Sequence, residues 1–221
     1  MNVLPEPATD RRAALKNRHR QAIVDAAAAL MDERSGTDFT VDELAQRADV
    51  SRRTVFNHFA SVDDVVTEVC GDALNSVVES IAAVPAHGEG SAASMEEEMV
   101  TVFRSADLVA PMAYLTRVLG DPADAPSPRR AFVTLRIFTE VSNRLLAAML
   151  ERRPEADKLA VHLLVGSLVA GISVLYQHWA AETGAVDTED SRRAWSELLE
   201  RLIAAVRSGH GAEPRVRDTT V

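Results

Sequence analysis

Apolar residues in this chain recur at three- and four-residue spacing, and no stretch alternates apolar with polar residues between turn signals. That periodicity dictates helices and excludes a sheet. Ile23, Ala26, Ala27, Leu30 and Met31 mark one face of a first helix, which Gly36 ends. Val41, Leu44, Ala45 and Ala48 mark a short second helix, opened by a Thr40–Glu43 capping box. A third short helix starts at Ser51 and turns Val55 and Phe59 inward. A long fourth helix follows Ser61, with Val62, Val65, Val66, Val69, Ala73, Val77 and Ile81 on one face as far as Pro85.

Residues 85–94 read as a loop. Ser94 and Glu97 form a further capping box, opening a helix with Met95, Met99, Val102 and Phe103. Met112, Leu115 and Leu119 belong to a short helix closed by Gly120. Ser127-Pro128 opens a helix that uses Phe132, Leu135, Phe138, Val141 and Leu145 and stops near Pro154. Residues 156–183 form the longest apolar helix, ended by Gly184. A last helix over 190–207 carries Trp195, Leu198, Leu199, Leu202, Ile203 and Val206. The expected fold class is all-α, with about nine helices: three short ones in front and six larger ones behind.

Charge is distributed unevenly. The 221 residues carry a net charge of −9, which taken alone argues against a polyanionic partner. Residues 10–60 nevertheless have a net charge of +1, and Arg11, Arg12, Lys16, Arg18 and Arg20 lie in a run without an acid. A basic head on an acidic body points to one end that meets an anion. The single cysteine, Cys70, has no internal partner, so a reducing, cytoplasmic home is expected. Residues 1–20 are polar and give no support to secretion.

Function concentrates in residues 40–59, TVDELAQRADVSRRTVFNHF. Two short capped helices flank the turn Ala48-Asp49-Val50, the sequence form of a helix-turn-helix. Such a turn needs a residue near the left-handed region, which Asp tolerates. The second helix of this motif lies in the major groove. Arg52 and Arg53 suit guanine, Asn57 suits adenine, and Thr54 suits either base edge or a thymine methyl. His58 lies on the outer face with Asn57 as a further candidate to read the operator, the alternative being that it packs on a neighbour. Thr40 and Ser51 cap their helices and are also placed to reach phosphate.

The block resembles the DNA-binding region of the tetracycline-repressor (TetR) family. The pattern runs from Thr40 to Asp64: a capping Thr with Glu three residues later, Val-Ser-x-x-Thr-hydrophobic-aromatic-x-His-Phe, then Ser and acidic residues opening the fourth helix. The resemblance covers about residues 18–75. It implies a homodimer on a palindromic operator in double-stranded DNA, later helices around a ligand cavity, and a small effector that moves the heads apart through helix four. Asp49 stands where the family often has Gly, Phe56 where many members have Tyr, and Val62 where many have Lys. The last two remove phosphate contacts.

The resulting division is a flexible arm (1–15), a DNA-binding domain (16–61), a ligand-binding and dimerisation domain (62–208) and a disordered tail (209–221). Candidate cavity residues are Phe103, Met112, Tyr114, Phe132, Phe138, Met149, Tyr176 and Trp179, which suit a hydrophobic or aromatic effector. Leu159 to Ala181 contains no Asp, Glu, Lys or Arg. Its His162, Gln177, His178 and small residues, with an amphipathic helix following, favour a helix buried by protein over a membrane span. Gly166, Ser167, Ala170 and Gly171 admit a close partner helix, and with Leu198 and Leu202 they make the expected dimer seam. No cofactor, metal cluster or catalytic constellation is legible. The expected function is a non-enzymatic, ligand-responsive transcriptional regulator, most simply a repressor. The competing reading is a small-molecule-binding or enzymatic protein whose helix-turn-helix is only structural.

Overall fold

Oxygen-bearing side chains set most of the helix starts. In the computed structural model, which describes residues 8–83, 95–122 and 127–208, side-chain oxygens of Thr40, Ser51, Ser61, Ser127, Asp157 and Thr188 each accept a backbone N–H in the first turn that follows. Ten helices result among the described residues: α1 (Ala8–Arg34), α2 (Val41–Arg47), α3 (Arg52–His58), α4 (Val62–Ala73), α5 (Asn75–Ala83), α6 (Met95–Ser105), α7 (Val109–Leu119), α8 (Pro128–Arg152), α9 (Lys158–Thr183) and α10 (Glu189–Arg207). The loop expected at 85–94, the Ser94 cap and the tail from residue 209 lie almost wholly or wholly outside the described residues.

Two helices differ from expectation. α1 begins at Ala8, so the second half of the expected flexible arm is helical. Ala13, Ala14, Leu15 and Lys16 are strong helix formers, and no Pro or Gly interrupts them. At its other end, Ser35 takes a left-handed φ of 47°, and Gly36 donates to the Met31 carbonyl. The helix thus closes one residue before the glycine. The expected long fourth helix breaks at Leu74, which accounts for the tenth segment. Leu74 donates to the carbonyl three residues back, a tighter turn, and drops its side chain into the core. Gly71, Asp72 and Asn75, all weak in a helix interior, surround the break.

The α1, α2 and α3 core joins Ile23, Ala27, Leu30, Leu44, Ala45, Val55 and Phe59. α4 carries this head onto the body by packing on both α1 and α8. α8 buries Val133, Ile137, Val141, Leu145 and Met149, a strict four-residue row. The expected face was rotated from this one: Phe132 and Leu135 are 54% and 65% exposed. Both faces of α8 are apolar at that end, so spacing alone does not choose between them.

α9 packs on α8 and α10. Gly171 lets Leu202 lie against the α9 backbone, where any Cβ would collide with it. Trp179 and Trp195 meet edge to face at 5.6 Å, and Trp179 Nε1 donates to the Ser191 carbonyl (2.9 Å). A buried carboxylate ties α6 to the end of α8: Glu98, 3% exposed, accepts from Arg152 Nε (2.7 Å) and Arg153 Nε (2.9 Å).

Candidate nucleic-acid interface and effector cavity

The reading head is built by caps at each end of its turn. Thr40 Oγ1 accepts from the Glu43 N–H, and the Glu43 carboxylate accepts from the Thr40 N–H (2.7 Å), closing the capping box. Arg34 reaches the same carboxylate. Its hydrogen bond, with those of Thr40, pulls the Glu43 pKa down to about 2. α2 then ends in a Schellman turn. Val50 donates to Ala45 (3.0 Å), Asp49 donates to Gln46 (3.3 Å), and Asp49 adopts φ 52°. Asp49 therefore fills the left-handed position that the turn requires. Ser51 next caps α3, its Oγ accepting the Thr54 N–H (3.0 Å) and lying 2.8 Å from Thr54 Oγ1.

α3 presents two unlike faces. Val55 is buried, and Phe59 at the helix end is buried beside it. Arg52, Arg53, Phe56 and Asn57 are exposed. Arg53 and Asn57, four residues apart, share one side. Arg52 is held by Asp42 of α2 (3.1 Å), but both side chains are more than half exposed, so the pair holds the arginine only weakly. Phe56, half exposed, is an apolar group on an otherwise polar face.

His58 departs from its expected outward position. It is half-buried, edge-on to His19 of α1 at 6.4 Å, and its carbonyl accepts from Arg20. Burial, then the charges of Lys16, Arg20 and His19, lowers its pKa, so the ring is neutral at physiological pH. Arg20 also stacks on the Phe59 ring (4.4 Å) and pairs with Glu68 of α4. His58 and Arg20 thus lock α3 to α1 and α4.

The body holds a mostly apolar cavity of about 320 Å³ between α7, α8 and α9. Leu115, Leu119, Ile137 and Phe138 line it, with Arg130, Thr134, Ser173, Tyr176 and Gln177 as its polar groups. Tyr176 shares a hydrogen bond with Thr116 (2.8 Å), and burial pushes its hydroxyl pKa up to about 12. Phe138 also borders a narrow void lined by Phe103, Met112 and other core residues.

Arginines elsewhere on α7 and α8, two of the helices that border the cavity, grip the head. Arg129 of α8 donates to Asp63 Oδ1 (2.8 Å) and to the Thr37 carbonyl, and Arg136 pairs with Asp64. Both aspartates lie in the first turn of α4. Arg117 of α7 reaches Asp32 of α1 (2.7 Å). Among the described residues every ion pair is made by an arginine.

Residues 23–69 match the family model described as bacterial regulatory proteins, tetR family. That match spans α2 and α3, with the C-terminal part of α1 and most of α4. The chain's fold is similar to that of Thermus thermophilus FadR, a TetR-family transcriptional repressor solved in complex with lauroyl-CoA. The identity is 19%, the match covers 91% of this chain and 100% of that one, and the TM-score is 0.57. It is also similar to a TetR-family transcriptional regulator from Streptomyces coelicolor, at 18% identity, over 85% and 99% of the two chains, with a TM-score of 0.50. No curated protein matches the chain.

Within the body, the eight expected cavity residues scatter. Phe138 and Tyr176 line the main cavity, while Phe103 and Met112 line the narrow void. Tyr114 faces a separate surface groove near Val186. Met149 and Trp179 are fully buried core. Phe132 stands outside, with Arg136 over its ring. Size and aromaticity picked out Phe138 and Tyr176 but otherwise selected mostly residues that pack, whereas the Leu, Ile, Thr and Ser of the lining carry no distinguishing signal.

The expected seam divides too. Gly166, Ser167 and Ala170 are exposed along α9, together with Leu159, Leu163 and Val174. Gly171 serves α10 of its own chain instead, and Leu198 and Leu202 are half-buried on that helix. α9 is long and apolar enough to cross a membrane, yet Val161, Val165, Leu168, Ile172, Tyr176 and Trp179 bury one of its sides within this chain.

Proposed function

We propose that this regulator binds a palindromic operator as a homodimer, acts as a cytoplasmic repressor, and leaves DNA when a small apolar effector enters the α7–α8–α9 cavity. One observation carries the reading: α3 turns Val55 inward and offers Arg52, Arg53 and Asn57 outward from a doubly capped scaffold. Arg can hydrogen-bond guanine at two points and Asn can do the same with adenine. Phe56 offers an apolar edge of the kind that packs on a thymine methyl. In this reading Thr40, Ser51 and Thr54 position the backbone on phosphate, and His58 acts through α1. Residues 16–61 form the reading head and 62–208 the sensing and pairing body.

A lone seven-residue helix contacts few bases, so two heads on a two-fold axis supply the affinity. The uncharged exposed stripe of α9, Leu159, Leu163, Gly166, Ser167, Ala170 and Val174, is the surface we assign to that axis, with Leu198 and Leu202 beside it. The cavity's lining favours an apolar effector, and the lauroyl-CoA carried by the Thermus thermophilus protein is one ligand with an apolar chain.

The test is selection of genomic DNA by the purified protein, followed by gel shift with Arg52→Ala and Arg53→Ala. Each base-reading arginine lost costs about 1–3 kcal/mol per head. Undiminished affinity in both variants refutes the assignment. Log affinity also falls with log salt by about 0.9 per phosphate contacted, and a salt-insensitive complex is incompatible with groove docking.

A further inference from the structure

We infer that Asp42 is a positioning residue for DNA reading: its carboxylate holds the Arg52 guanidinium to one base pair and away from phosphate. The inference rests on the reading of α3 as the helix that enters the groove, and it adds how one of its arginines is made selective. Its basis is the way the polar groups at two helix starts are shared out. In the first turn of α2, Glu43 is taken up by Thr40 and Arg34 and closes the capping box. Asp42, beside it, reaches across to α3, and its Oδ2 accepts from Arg52 Nη1 (3.1 Å). In the first turn of α3, the Ser51 and Thr54 hydroxyls are joined to one another (2.8 Å). Arg53 makes no ion pair among the described residues. Of the two adjacent arginines, Arg52 is therefore the one that α2 holds.

Arg52 is the first residue of α3. A recognition helix points that end at the bases, while the helix before it crosses the backbone. A long arginine side chain there has two targets within reach, a base edge and a phosphate, and phosphate contacts carry no sequence information. Asp42 selects between them in two ways. Its bond takes Nη1 and leaves the Nε–Nη2 edge of the guanidinium, a pair of parallel donors that matches guanine O6 and N7. Its negative charge, brought beside the backbone on docking, repels phosphate and so opposes a backbone-directed pose of the same side chain.

In water the pair is weak, because both side chains are more than half exposed. Docking strips water from around it, and the attraction strengthens as the local dielectric falls. The pair thus acts in the complex more than in the unbound protein. It raises discrimination at one base pair and lowers affinity for unrelated DNA, where phosphate attraction supplies the binding.

The experiment measures gel-shift affinities of the full chain for an operator selected from a random duplex library, for each of its single-base-pair variants, and for an unrelated duplex, all at one salt concentration. The proteins are the natural chain, Asp42→Asn, Arg52→Ala and the variant carrying both changes. The Asp42 side chain is 63% exposed and the capping box belongs to Glu43, so Asp42→Asn keeps the fold, which circular dichroism checks. Arg52→Ala is expected to flatten the preference at one guanine. Asp42→Asn is expected to lower the preference at that same base pair about three- to tenfold and to leave the other positions unchanged. It should also raise affinity for the unrelated duplex, and add no further loss at that base pair once Arg52 is Ala. An unchanged preference there, or an equal fall at every position, overturns the inference while the reading of Arg52 stands. Affinity for the unrelated duplex that does not rise overturns the carboxylate's part in keeping the arginine off phosphate. If Arg52→Ala leaves every preference unchanged, Arg52 reads no base and the inference falls with that reading.

Discussion

Replacing Glu98 by Gln tests how the body is held together. The carboxylate is 3% exposed and is shared by two arginines, whose side chains are 17% (Arg152) and 32% (Arg153) exposed. Breaking a fully buried ion pair costs about 3–5 kcal/mol, because a charge is left without compensation. Here both guanidiniums already touch solvent, and Gln keeps one acceptor, so we expect a loss of about 2 kcal/mol. For a chain of this length that lowers Tm by about 4–8 °C. Urea unfolding at fixed protein concentration measures it, with an unchanged slope. Burial raises the Glu98 pKa, but hydrogen bonds from Arg153 and Arg152 outweigh it and hold it below the ordinary 4.5. The contribution is therefore present above the unfolded value and is lost as pH falls through the folded one. Glu98→Gln should flatten that acid limb. A loss below about 0.5 kcal/mol, or an unchanged acid limb, refutes the reasoning.

Three further outcomes are expected. Asp49→Gly stabilises the head by about 0.5–1 kcal/mol by relieving the left-handed strain, whereas Asp49→Val costs about 1–2; thermal unfolding measures both. Burial raises the Asp64 pKa, but Arg136 and Ser61 hydrogen bonds bring it below 3.8, so Asp64→Asn should remove stability present above that pH and leave less to lose on acidification. Leu163→Arg with Val174→Arg, both on the exposed side of α9, should leave circular dichroism intact and give a monomer by sedimentation, with weaker operator binding.

The head was legible because its signals are local. Thr40 with Glu43, Asp49 in the turn, and Ser51 before two arginines each act within four residues, and each keeps its expected local place in the folded chain. For His58 the sequence left two places open, outward or packed on a neighbour, because its burial depends on His19 and Arg20, some 40 positions earlier in the chain. The break at Leu74 was hidden because the apolar spacing continues unbroken through it. Phe132 looked like lining because α8 is apolar on two sides there, and the choice belongs to α4, α5 and α9 packing on the other. Glu98 stands in the first turn of α6, where any carboxylate favours the helix dipole, and its partners come from more than 50 residues downstream.

The monopoly of arginine over the cross-helix ties has a practical side. Only Lys16 and Lys158 carry a side-chain amine in the whole sequence, and both are exposed. An acylating dye or cross-linker aimed at lysine therefore lands on the basic end of α1 or the first turn of α9, leaving the Asp63, Asp64 and Glu98 ties untouched. Enzymatic acetylation of lysine side chains is equally powerless to loosen those ties, and only chemistry directed at guanidinium or carboxylate groups reaches them.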